Sequence, residues 1–138
     1  PLKRALRCGK LTLAALSAVL RVYRQSTDLA RDLPALRALA RPLDEIEAVG
    51  RDAVERLRAA LGGEYDVDLV SSIAEVGSGA LPTAELESRA VAIRHPTESA
   101  DRLARRFRSA DPPIFGRVHE GRFLLDLRTV FDPTTLVP

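Results

Sequence analysis

The chain has 138 residues, 21 lysines and arginines against 19 acids for a formal charge of +2, a single cysteine and two histidines. A chain of this length hides roughly two-thirds of its unfolded surface and needs no staple to fold; Cys8 alone excludes an internal disulfide, and with His95 and His119 it makes a poor zinc set. No apolar run reaches the roughly 18 to 20 residues of a membrane span, and the start lacks a signal-peptide cleavage site, which predicts a cytoplasmic protein with no membrane partner.

In chain order, Pro1-Leu2-Lys3-Arg4-Ala5-Leu6-Arg7 is a cationic patch with no methionine before it, which reads as an internal stretch of something longer. Arg4 and Arg7, three apart, can share one side of a helical turn and converge on a small polyanion; by spacing alone a surface ion pair is the better reading. Leu13, Leu16, Val19, Leu20 and Tyr23 then recur at three- and four-residue steps, with alanines between them, and predict a helix over 11–24 buried on most of its circumference. Ser26, Thr27 and Asp28 offer caps for a short helix to about Asp32, and Pro34 starts another ending near Ala40. Pro42 opens a long helix with Asp44, Glu45 and Glu47 near its positive end and Ile46, Val49, Ala53, Val54, Leu57 and Leu61 along one face, stopped by Gly62-Gly63.

The period then changes. Val67 and Leu69 alternate with acids, residues 89–94 read as a strand ended by Pro96, and Thr97 or Ser99 caps a helix with Ala100, Leu103, Ala104 and Phe107 inside. Asp111-Pro112-Pro113 breaks it, and strands over 114–118 and 122–127 meet in a hairpin at His119-Glu120-Gly121, where the glycine suits a positive φ. The order predicts an α+β domain, an antiparallel sheet covered on one face by helices. His95 and His119 read as turn residues. Arg117 and Arg128 read as structural cations pairing with Asp126 or Glu120. Arg102, Arg105, Arg106 and Arg108 read first as a solvated helix face, with contact to RNA phosphates as the rival. Cations that are nearly all arginine suit phosphate, but a net charge of +2 establishes no nucleic-acid partner. The Gly77-Ser78-Gly79 stretch is either an anion-binding nest or a plain link between strands.

Three blocks in fixed order carry a resemblance: Pro1 to Arg7 followed by Lys10-Leu11-Thr12-Leu13-Ala14-Ala15-Leu16; Gly77-Ser78-Gly79-Ala80-Leu81-Pro82; and Pro113-Ile114-Phe115-Gly116-Arg117-Val118 with Gly121-Arg122-Phe123-Leu124-Leu125-Asp126-Leu127-Arg128. With Leu33-Pro34-Ala35-Leu36-Arg37-Ala38-Leu39 between them, the chain resembles the carboxy-terminal part of the bacterial selenocysteine synthases, the L-seryl-tRNA(Sec) selenium transferases. Cys8-Gly9 departs from the family pattern, which more often carries a non-cysteine residue and then a polar one.

The resemblance implies a type I pyridoxal-phosphate transferase fold, with residues 1–41 as linking helices from a large domain and 42–138 as the small carboxy-terminal α+β domain. It implies a pyridoxal 5'-phosphate cofactor bound by a lysine upstream, in a glycine-rich Asp-Lys segment this sequence lacks, so that Lys3 and Lys10 are not that lysine and the chain alone is inactive. The implied substrates are seryl-tRNA(Sec) and selenophosphate. The cofactor serves as electron sink for loss of the seryl α-proton and β-hydroxyl, and Arg4 and Arg7 hold the anionic group of the donor. Gly77, Ser78 and Gly79 would border the active site with no assigned step, and the whole enzyme would be a homo-oligomer. Two other readings stay open: a related pyridoxal-phosphate lyase acting on a phosphorylated amino sugar, and a free-standing ligand- or RNA-binding α+β module.

Overall fold

The computed structural model describes residues 7–75 and 85–138, and the chain divides into two units, Pro1–Ala40 and Arg41–Pro138. In the first, α1 spans Lys10–Gln25 and ends where Ser26 turns extended, its amide still bonded to the Val22 carbonyl. Asp28 caps the short α2, Leu29–Asp32, by accepting the Arg31 amide, and Pro34 opens α3, Pro34–Ala40. The predicted burial of the first helix is not met. No residue of α1 is buried; Leu11 is 87% exposed, and Leu13, Leu16, Val19, Leu20 and Tyr23 remain exposed as well. Within its own unit, two short helices offer too little surface to cover a four-turn apolar stripe.

The second unit begins with α4, Leu43–Leu61, whose first turn carries Asp44 and Glu45 and whose inner face buries Ile46, Gly50, Ala53, Val54 and Leu57. Gly62 ends it at φ 91°, a conformation that glycine adopts without strain. Strand β1, Asp66–Glu75, pairs antiparallel with β2, Glu85–Arg94, in one register from Asp66↔Arg94 to Glu75↔Glu85. Helix α5, Ala100–Arg108, follows, then β3, Arg117–His119, and β4, Arg122–Asp126. The sheet order is β1-β2-β4-β3, all antiparallel, so β4 inserts beside β2 and carries β3 as the outer strand. The β3–β4 hairpin turns through Glu120 at φ 48° and Gly121 at φ 71°, the two left-handed residues of a tight two-residue turn.

The α+β expectation holds, and α4 and α5 share one face of the sheet. Alternation puts Val67, Val91, Ile93, Phe123 and Leu125 into a single core with the inner faces of α4 and α5. On the opposite face Ala90, Ala92 and Leu124 form a smaller cluster with Val70. The strand predicted over 114–118 starts later, because the Ile114 amide bonds to the Phe107 carbonyl at 3.0 Å and its side chain enters the helix-side core. At the head of α5 the Ser99 hydroxyl accepts the Arg102 amide. Ser99→Ala is therefore expected to lower unfolding stability by about 1 kcal/mol; an unchanged urea midpoint would show the cap to be idle.

Two buried arginines join the ends of this unit. Arg41 donates from Nη1 to the carbonyls of Leu127, at 3.1 Å, and Val130, and its guanidinium lies 4.7 Å over the Phe131 ring. Arg128 reciprocates, reaching the Arg41 carbonyl at 3.3 Å and the Glu87 carbonyl. A guanidinium is suited to this place because it satisfies several carbonyls at once from a fixed planar fork.

Candidate functional site

Of the residues the resemblance nominates for donor binding, Arg7 is described and exposed, two positions ahead of the Gly9 cap of α1. Arg4, Gly77, Ser78 and Gly79 lie outside the described residues. Lys10 is exposed in the first turn of α1, and the space beside Gly9 is open to a radius of 4 Å. The surroundings of the one lysine among the described residues thus form no cradle for pyridoxal phosphate. The described residues likewise contain no group of three or more His, Cys, Asp or Glu that could hold a metal ion, and among them no helix is long and apolar enough to cross a membrane.

An open cavity of about 980 Å³ takes in residues of β1, β2, β3 and β4, among them Ser72, Arg89, Arg117, His119, Arg122 and Leu124. Two of its lining residues, Ser72 and Arg117, belong to a polar network that follows from register. Ser72 on β1 stands directly opposite Ser88 on β2, and both hydroxyls donate to Asp126 on β4, at 3.0 Å each, one to each carboxylate oxygen. The Arg128 amide donates to the same carboxylate at 3.0 Å, and Arg117 places Nη2 on the Ser72 oxygen at 3.1 Å. Ser88 is fully buried, so Asp126 gives a buried hydroxyl the acceptor it requires.

This geometry corrects the expected arginine pairings. Arg117 reaches Asp126 only through Ser72, Glu120 is taken by Arg122 at 3.0 Å, and the Arg128 side chain bonds to backbone carbonyls. Arg89, on the helix side, pairs with Glu47 at 2.6 Å. The serine–aspartate network escaped sequence reading because it depends on a register joining residues 54 and 38 positions apart. The repeated Ser71-Ser72 on one strand and Ser88 on the other was the available signal.

A second cavity of about 730 Å³ lies beside α5, lined by Glu64, Tyr65, His95, Glu98, Arg102, Arg105 and Arg106 among others. His95 behaves as the turn residue expected of it. Its Nδ1 accepts the Thr97 and Glu98 amides at 3.2 and 2.9 Å, so that nitrogen is the acceptor of the ring, while Nε2 faces Glu64 at 3.4 Å. Tyr65 donates to Glu98 at 2.8 Å and accepts from Arg106 at 3.1 Å. The bond to the Glu98 carboxylate holds the Tyr65 hydroxyl above its ordinary ionisation range, since ionising it would lose that bond beside a negative charge.

Comparison with known proteins adds a family and a measure of extent. The family described as L-seryl-tRNA selenium transferase matches residues 1–131. The L-seryl-tRNA(Sec) selenium transferase of Hyphomonas neptunium is 46% identical over 132 residues, covering 96% of this chain and 28% of that protein. That of Methylocella silvestris is 46% identical over 134 residues, covering 96% and 29%, and that of Yersinia pestis 41% over 140 residues, covering 99% and 30%. The chain thus spans less than a third of the length of these relatives.

Proposed function

Since the chain belongs to the L-seryl-tRNA selenium transferase family, we propose that it is part of an enzyme that converts seryl-tRNA(Sec) to selenocysteinyl-tRNA(Sec), with selenophosphate as the selenium donor and pyridoxal phosphate as cofactor. The observation that carries this reading is a match over residues 1–131 that includes the opening arginine block, the Gly77 block and the Pro113 to Arg128 block in order. The cofactor lysine belongs to the rest of the whole protein, because the glycine-rich Asp-Lys segment is absent from these 138 residues. The same reading makes the whole enzyme a cytoplasmic homo-oligomer in which residues 42–138 serve as the small domain.

Within this chain the proposed donor site is Arg4 and Arg7, with Gly77, Ser78 and Gly79 as the neighbouring active-site loop. Selenophosphate is a small, multiply charged anion, and two guanidinium forks hold its oxygens with charge-assisted hydrogen bonds while orienting the selenium. Arg7 supports this role by its exposure ahead of a helix that brings no acid in its first turn. In the whole enzyme, Arg7→Ala is expected to raise KM for selenophosphate by about 10- to 100-fold, the range for one charge-assisted contact, while cofactor absorbance and tRNA affinity stay unchanged. Steady-state kinetics at varied donor checks it; an unaltered donor KM removes Arg7 from the site.

A further inference from the structure

We infer that the exposed arginine face of α5 is a docking surface for the phosphate backbone of RNA; this rests on the proposed tRNA substrate and gives this chain a direct part in holding it. The helix has nine residues, of which four are arginine and one is acidic, a formal surplus of three positive charges. Ala100, Leu103, Ala104 and Phe107 are buried, so the remaining face carries Arg102, Arg105, Arg106 and Arg108, all exposed. The positive end of a helix disfavours a cation, so dipole compensation accounts for arginines in the last turn but not for Arg102 near the start.

Neutralisation within the protein is incomplete. Arg102 meets Glu98 at 3.4 Å and is itself 76% exposed. Arg106 is held on the Tyr65 hydroxyl, which Glu98 anchors in turn. Among the described residues, neither Arg105 nor Arg108 has an acid within ion-pair distance. Glu64 in the same cavity faces His95. The result is two pinned and two unengaged guanidiniums, spread over a rise of about 9 Å from Arg102 to Arg108. That span is too long for one phosphate group and suits a repeating anion, which arginines engage by counterion release.

The test compares the whole protein with its R105A/R108A variant, both on exposed positions outside the core, by measuring affinity for the serine-charged tRNA from 50 to 300 mM salt. The variant is expected to lose roughly 1 to 2 from the slope of log K against log salt and about tenfold or more in affinity, with kcat at saturating tRNA unchanged. R105K/R108K should restore most of the slope, which a structural role of the guanidinium shape would not allow. If the variant keeps the wild-type slope while wild type transforms seryl-tRNA, the inference fails and the proposed function stands. If R105A/R108A loses slope against wild type but wild type transfers no selenium, the function fails and the inference stands; no RNA binding by wild type overturns both. Loss of binding to anionic phosphatidylserine vesicles with an unchanged RNA slope would assign the face to a lipid surface and overturn the inference.

Discussion

Replacing Phe107 by alanine is expected to lower the unfolding free energy of the chain by about 3 to 5 kcal/mol, the cost of deleting a large buried ring and leaving a void. The side chain is fully buried and stands 5.0 Å from the Phe123 ring in a tilted pair, so α5 and β4 are joined through it. Its backbone carbonyl also receives the Ala110 and Ile114 amides, which turn the chain from α5 back into the core. Domains of this size are stable by roughly 5 to 15 kcal/mol, so the loss takes a large share of the total. Urea denaturation followed by circular dichroism measures it. Phe107→Leu, which keeps most of the volume, should cost clearly less; equal losses from both would mean that the void is not the cause.

Gly116→Ala should cost about 3 kcal/mol, at the upper end of overpacking because the obstacle includes backbone. A Cβ at this position would lie 2.4 Å from the Leu124 carbonyl oxygen and 2.6 and 2.7 Å from two atoms of the Phe123 ring. Neither neighbour can step aside, since Leu124 is paired with Ala92 on one side and Arg117 on the other, and Phe123 is fully buried. Gly63→Ala is the matched control, with nothing within 4 Å of its added Cβ. A thermal melt that finds the two variants equal would refute the steric account. The glycine in the Pro113 to Val118 block is therefore explained by close approach to β4.

Most of the fold could be read from local chemistry. The Ser99 cap, the Pro34 and Pro42 helix starts, the Gly62 stop and the Glu120-Gly121 turn each act within a few residues of themselves. What escaped depends on distance along the chain. Arg41 and Leu127 are 86 residues apart, and nothing near either marks the bond between them. Ser72 gives no sign of Asp126 until β2 and β4 are in register. The α1 stripe was readable as apolar, but periodicity reports a face without saying whether this chain contains anything to cover it. The donor site was legible only through resemblance, since two arginines three apart have no chemistry that separates them from a solvated pair.

The reciprocal bonds of Arg41 and Arg128 also govern the order in which the unit can assemble during synthesis. β4 is the last strand made yet lies inside the sheet, between β2 and β3, and the carbonyls that receive Arg41 belong to Leu127 and Val130. While the ribosome is still adding residues short of about 130, α4 can already lie on the β1–β2 pair, since their core side chains are all made by residue 94, but the head of α4 and the free side of β2 lack their closing partners. The buried guanidinium of Arg41 waits, solvated, for some 90 residues of chain. Closure of this unit is therefore tied to the segment that carries β4 and Leu127, which completes the sheet and the Arg41 bonds together.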